Sequence, residues 1–398
     1  MDDISVLVCD DSALMRNLIS RIIDNTEGMK VCAKAMNGEI ALERIPEMKP
    51  DIMVLDIEMP VMDGVQFLKE RKARRWDIPV IILSSVATKG AAVTMQCLEL
   101  GASDFITKPN GSISADLSGI AENLVEMLAS YGNPYAARQG KKVYPVDFFH
   151  QQMKLKRAEQ LVIEKKGAAA APQKPAEPAK PFSFSWKAPA EVKTAATITP
   201  VRNGDRIDII VIGISTGGPN ALRDVFKMID PHLKQPILVV QHMPAGFTKE
   251  FAISLNNICP LEVKEAEEGD LVQGGHVYIA PGDYQMCIAR GLKGTEIRLS
   301  KDPHRNGHRP SVDYLFESVA KEYKNHALGV IMTGMGKDGA AQLAEMRKEG
   351  AWTLGQDQES SIVYGMPKVA WELGGVQKQV PLAKMADEIS ALAREHLT

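Results

Sequence analysis

The sequence contains no CxxC pair. Its five cysteines, Cys9, Cys32, Cys97, Cys259 and Cys287, lie far apart, and several sit inside apolar runs. That distribution builds neither a thiolate zinc site nor a disulfide framework, and a reducing compartment is expected. Long apolar runs are missing too. No stretch approaches the length that spans a bilayer, and Met-Asp-Asp leading into a short strand is no secretory leader; a soluble, cytoplasmic protein without membrane insertion is expected. Basic blocks are also absent, and the net charge is −3, which argues against nucleic acid and towards protein or small-molecule partners. At 398 residues the chain exceeds one ordinary core, so at least two domains are expected.

What is present begins with a βαβ rhythm over residues 1–130. Apolar runs at Ser5 to Cys9, Lys30 to Lys34, Asp51 to Leu55, Pro79 to Leu83 and Asp104 to Thr107 alternate with amphipathic stretches. These stretches lie near Leu14 to Asp24, Glu39 to Ile45, Val65 to Lys72, Ala91 to Leu100 and Leu117 to Leu128. Five strands with five helices predict a flavodoxin-like, five-stranded parallel sheet whose functional groups collect at the carboxyl ends of its strands. Those ends carry Asp10-Asp11, Asp56, Ser84-Ser85 and Lys108-Pro109. Carboxylates gathered there repel one another unless a cation joins them, and hard oxygen donors suit Mg²⁺. With the metal held, Asp56 is free to accept a phosphoryl group, and Lys108 helps to balance the charge.

This segment resembles the receiver domain of bacterial response regulators, most specifically in Asp56-Ile57-Glu58-Met59-Pro60-Val61-Met62-Asp63-Gly64. The resemblance implies that Asp10, Asp11, Asp56 and the Glu58 carbonyl hold Mg²⁺ and that Asp56 is phosphorylated. It further implies that Ser84 and Lys108 contact the phosphoryl group, and that Phe105 is an aromatic rotamer switch.

Residues 131–205 lose the rhythm. Gly167 to Pro181 is Ala/Pro/Lys-rich and reads as a flexible tether, preceded by a charged amphipathic stretch, Phe148 to Lys166, read as a solvated or loosely docked helix. Phe182, Phe184 and Trp186 are candidates for docking on a domain surface.

Residues 206–398 restore strand–helix alternation and predict a Rossmann-like, doubly wound α/β domain. Ile207 to Ile212 reads as a buried strand, and Gly213-Ile214-Ser215-Thr216-Gly217 after it has G-x-S-x-G spacing, which pushes a serine Oγ to the tip of a sharp turn. This turn is neither GxGxxG nor a P-loop, and the second strand ends in His242 rather than a ribose-binding acid, so dinucleotide binding is disfavoured. A serine nucleophile needs a base. His242 ends the next core strand, with His304 and His308 as competing bases in a polar loop. The orienting acid is Asp338, in the turn after Leu328 to Met332, or alternatively Asp283. The order Ser215, His242, Asp338 differs from that of the α/β-hydrolases.

Four motifs in this half, GISTGGP (213–219), QHMP (241–244), HRPSVD (308–313) and TGMGKDGA (333–340), resemble the catalytic domain of the chemotaxis protein-glutamate methylesterases. The resemblance implies a monomeric esterase acting on γ-methyl glutamate esters of chemoreceptor cytoplasmic domains. Ser215 attacks, His242 takes the proton, Asp338 orients the imidazole, and the N–H groups of Thr216 and Met335 meet the oxyanion. It also implies glutamine deamidation, guidance of the acidic receptor surface by Arg309, and no cofactor for the ester step. Phosphoryl transfer to Asp56 from a histidine kinase is expected to shift the receiver off the Ser215 cleft.

Overall fold

The chain forms two separate parallel sheets in a computed structural model that describes residues 1–85, 88–108, 117–153, 155–156 and 195–397. In the first, β1 (Ile4–Cys9), β2 (Met29–Ala35), β3 (Ile52–Asp56), β4 (Val80–Ser84) and β5 (Asp104–Thr107) lie in the order β2-β1-β3-β4-β5. Helices α1 (Ala13–Asp24), α2 (Gly38–Met48), α3 (Gly64–Ala73), α4 (Thr88–Glu99) and α5 (Leu117–Arg138) cover it. Both β1 and β3 are buried along their whole length, as near-continuous apolar runs require, so the chain turns polar only where it leaves the sheet. Ser12 starts α1 by accepting the Met15 N–H, and Asp63 and Gln66 close a capping box on α3; these caps fix the loops that carry Asp10, Asp11 and Asp56.

This unit does not stop at residue 130. Helix α5 runs on to Arg138, Val143 bridges Asp2, and a further helix, α6, spans 146–153. The described beginning of the stretch expected to be solvated or loosely docked is anchored by aromatic burial: Phe148 and Phe149 are buried in one core with Ile4 and Met29, and Tyr144 stacks on Phe148 with centroids 4.2 Å apart, whereas 157–166 lie outside the described residues. At the other end, residues 195–205 already belong to the second unit, because Ala196 N–H donates to Glu372 O and Val201 N–H to Lys348 O. The connector is therefore shorter than 131–205. Gly167 to Pro181, Phe182, Phe184 and Trp186 lie outside the described residues.

The second unit contains β6 (Ile209–Ile214), α7 (Gly218–Met228), β7 (Ile237–Gln241), α8 (Phe247–Asn256), β8 (Glu262–Glu265) and β9 (His276–Ile279). A hairpin of β10 (Gln285–Gly291) and β11 (Gly294–Ser300) follows, outside the main sheet. Then come α9 (Val312–Tyr323), β12 (Ala327–Ile331), α10 (Ala340–Glu349), β13 (Trp352–Gln356), α11 (Met366–Glu372), β14 (Lys378–Val380) and α12 (Leu382–Glu395). Seven parallel strands run β14-β13-β12-β6-β7-β9-β8, so the winding reverses between β6 and β12. A crevice opens outside the carboxyl ends of strands at such a switch point.

Candidate active site

Ser215 leaves the carboxyl end of β6 in a turn held by its own N–H on Thr333 O, at 3.0 Å. Gly217 then takes a left-handed φ of 79° and caps α7, a conformation that suits glycine. The loop after β12 passes close behind this turn: a Cβ on Gly334 would lie 2.7 Å from Ser215 Cβ, so only glycine fits. His242 follows β7 and donates its backbone N–H to Ile214 O, which brings its ring over the serine.

His242 Nδ1 lies 3.1 Å from Ser215 Oγ, and Nε2 lies 2.8 Å from Asp338 Oδ2. A carboxylate can only accept, so Nε2 carries the proton and Nδ1 presents a lone pair to the hydroxyl. The two nitrogens are exchanged relative to the serine-protease arrangement, in which Nε2 faces the serine. Asp338 is buried and accepts four more hydrogen bonds, from Asn306 Nδ2, Ser311 Oγ and the N–H groups of Val312 and Asp313. Burial alone would raise its pKa, but the hydrogen bond and charge of His242, with Asn306 and Ser311, outweigh burial and hold the carboxyl well below the usual carboxylate range. The group stays ionised and fixed.

The competing candidates resolve by position. Asp283 pairs with Lys301 and Arg309, whose side-chain hydrogen bonds lower its pKa. His308 stacks on His242, and His304 lines the same cavity. Arg309 also lines it, but its guanidinium is held by Asp283 Oδ1 and the carbonyls of Lys301 and Asp302. Thr216 and Met335 border the cavity, of about 350 Å³, and among the described residues neither backbone N–H has a hydrogen-bond partner. Of the two side chains that complete the shell around Asp338, Ser311 lies within the HRPSVD motif, which by itself gives it no role, and Asn306 carries no sequence signal beyond its place in the polar loop before it.

The first unit closes over this cavity. Asp104 Oδ2 accepts the Gly217 N–H at 2.8 Å, Asn220 Nδ2 donates to the carbonyls of Ala102 and Ser103, and Phe105 stacks on Phe247. Asp104 is buried, which lifts its pKa to about 6 against hydrogen bonds from Gly217, Phe105 and Tyr131.

At the far end of the first sheet, ligand atoms of Asp10, Asp11 and Asp56 lie within 4.8 Å of one another. Lys108 Nζ is 2.6 Å from Asp56 Oδ2 and 3.2 Å from Asp10 Oδ2, the latter outside hydrogen-bond geometry, so a buried carboxylate oxygen of Asp10 has no hydrogen-bond partner. Burial raises Asp56 to about 6, although Lys108 pulls it down. An orphaned oxygen within a cluster of three acids fits a hard divalent cation. Asp11, Asp56, Glu58 and Lys108 line one cavity there. Ser84 does not reach it: its Oγ shares a 2.6 Å hydrogen bond with Thr94 Oγ1, and Ser85 lines the cavity instead.

The family model for the CheB methylesterase matches residues 210–389, and that for the response regulator receiver domain matches residues 6–115. A protein-glutamate methylesterase/protein-glutamine glutaminase of Treponema denticola is 51% identical over 396 residues, covering 99% of this chain and 100% of that one. Its counterpart in Treponema pallidum is 50% identical over 391 residues, covering 98% and 97%. Among solved structures, the catalytic domain of Thermotoga maritima CheB methylesterase is 38% identical, covers 48% of this chain and all of that one, and has a TM-score of 0.46. With a receiver in front and a methylesterase domain behind, matched along nearly its whole length, this chain belongs to the protein-glutamate methylesterase/protein-glutamine glutaminase family.

Proposed function

We propose that the chain is a phosphorylation-controlled esterase that hydrolyses glutamate γ-methyl esters on the cytoplasmic domains of chemoreceptors. Ser215 Oγ attacks the ester carbonyl while His242 Nδ1 takes its proton; the proton then passes to the departing methoxide, and methanol leaves. Water, deprotonated by the same nitrogen, cleaves the acyl-serine and restores a receptor carboxylate. A glutamine side chain follows the same route with ammonia as leaving group. Asp338 holds the Nε2–H tautomer and stabilises the imidazolium. The unpaired N–H groups of Thr216 and Met335 receive the oxyanion, and each such donor contributes about 10²–10³ in rate. Arg309, fixed by Asp283, presents a steady positive charge at the rim towards an acidic receptor surface.

Asp56 is the phosphoacceptor, supplied by a histidine kinase: its carboxylate oxygen bonds the phosphorus as the phosphohistidine nitrogen leaves. Asp10, Asp11 and Asp56, with the Glu58 carbonyl, would hold Mg²⁺, a hard cation that offsets charge around the phosphoacceptor when bound. Lys108 faces the incoming phosphoryl oxygens, and Ser84 would have to leave Thr94 to join them. Phosphorylation shifts the equilibrium away from the arrangement in which Asp104 and Phe105 cover the Ser215 cavity. No helix among the described residues is long and apolar enough to cross a membrane, as suits an enzyme that meets its receptors from the cytoplasm.

The observation that carries this reading is the continuous line Ser215 Oγ, His242, Asp338. Methanol release from methylated receptor membranes tests it. Ser215→Ala is expected to lose at least about 10³ in rate; retention of wild-type release by that variant refutes the mechanism.

A further inference from the structure

The two hydrogen bonds of His242 lie in the plane of its ring, one through each nitrogen. They fix where the nitrogens are but leave the ring free to rock about the line that joins them. The face of the ring is covered by His308: the centroids are 3.7 Å apart and the planes are within 8° of parallel. The segment that carries His308 is itself pinned, since its backbone exchanges two hydrogen bonds with Arg305 and its carbonyl accepts Gln285 Nε2 at 3.1 Å. Among the described residues, neither ring nitrogen of His308 has a hydrogen-bond partner, so the ring meets its surroundings through its flat face.

We propose that His308 is a positioning residue of the ester hydrolysis, its neutral ring holding the His242 imidazole in the plane where Nδ1 meets Ser215 and Nε2 meets Asp338. The inference rests on the reading of Ser215 as nucleophile and His242 as base. Burial, and then the charge of His242, lower His308 to about 4, so it remains uncharged at neutral pH. A neutral aromatic face beside an imidazolium is favourable, whereas a second charged ring there would repel it. The stack therefore serves both states of the base.

The test uses the full chain with His308→Leu, which fills the space without a flat face, and His308→Phe, which restores one without a nitrogen. Relative to wild type, His308→Leu is expected to lower kcat about tenfold with KM within about twofold, because a base turned out of its plane slows chemistry without weakening binding. His308→Phe is expected to recover kcat to within about twofold. Wild-type kcat in His308→Leu overturns the proposal, and so does a His308→Phe variant as slow as His308→Leu, since a nitrogen would then be required.

Nitrogen-15 spectra of the His242 ring read the same point without turnover. The ring is expected to be held still in wild type and in His308→Phe and to show exchange broadening in His308→Leu; equal line widths throughout overturn the stacking role. Because these spectra can be taken in the Ser215→Ala background, failure of the nucleophile assignment and failure of the His308 assignment give different results.

Discussion

At the scale of single residues the site turns on one carboxylate. Asp338 accepts five hydrogen bonds, counting that from His242, and all come from donors that an ionised group alone can satisfy. Its pKa is depressed, so its contribution to stability is present above the unfolded carboxylate value and is lost only as pH falls through the lower folded one. Any acid limb of activity above pH 5 therefore belongs to another group. Asp338→Asn would set an amide N–H₂ against this ring of donors and favour the wrong imidazole tautomer; kcat is expected to fall by about 10⁴ in steady-state assays with the fold retained. Legibility at this scale followed burial. Ser215, His242 and Asp338 each come just after an apolar run, so strand ends located them. Asn306 and Ser311 lie in a polar loop whose sequence looks the same whether its side chains face water or a buried acid. The choice between His242 and His308 had a similar limit, because residue order cannot reveal that two rings in distant segments stack.

Elements show where pattern reading was strong and where it was not. All five strands of the first sheet lie where the apolar runs placed them; β1, β3 and β4, buried on both faces, leave an unbroken trace, while the edge strand β2 is half exposed. The docking of helix α6 was harder to foresee, for the charged stretch that follows it masked the two phenylalanines that anchor it. The turn after β12 carries GxGxxG spacing at 334–339, yet its glycines serve other ends: Gly334 lets the loop approach Ser215, and Gly339 caps α10 with a φ of 85°. The start of β5 had a role no periodicity could show, which is to hand Asp104 to the N-terminus of α7. Raised to about 6 by burial, Asp104 binds a proton more readily when the domains are docked than when it is solvated. Docking thus gains stability as pH falls through 6 towards the ordinary carboxylate value, and loses it as pH rises. The shift corresponds to about tenfold tighter docking at pH 5 than at pH 7. The groups facing Asp104 are Tyr131 and the N–H donors of Phe105 and Gly217, and Glu99 pairs with Arg223 across the junction. Energy transfer between dyes on the two units should report this slope in the full chain. In Asp104→Asn the slope should vanish, and its persistence there would assign the pH dependence elsewhere.

For the whole molecule, the two sheets and their order along the chain were legible from composition and motifs, but their mutual placement was not, because contacts between domains leave no periodic trace. The structure sets the β5 edge of the first sheet, at the amino-terminal start of that strand, over the switch point of the second, with Phe105 against Phe247 and Asn220 reaching Ala102 and Ser103. Ser215, His242 and Asp338 stay hydrogen-bonded beneath it. On the proposed function, the cover would act by restricting access, since it leaves these hydrogen bonds assembled. A receptor helix is about 10 Å across. On the proposed function it would compete with the receiver for a cavity of about 350 Å³ that the two units share. A fragment beginning at residue 195, which keeps the edge hydrogen bonds of Ala196 and Val201, should then hydrolyse receptor esters without a phosphodonor. A rate about tenfold above that of the unphosphorylated full chain corresponds to only about 1.4 kcal/mol of docking free energy. The full chain should gain rate on addition of a small phosphodonor, and Asp56→Asn should stay at the low level while its 195–398 portion remains as active as wild type. Methanol release measured side by side on the same membranes decides the matter: a fragment no faster than the resting full chain would mean that the receiver does not restrain the esterase by covering it.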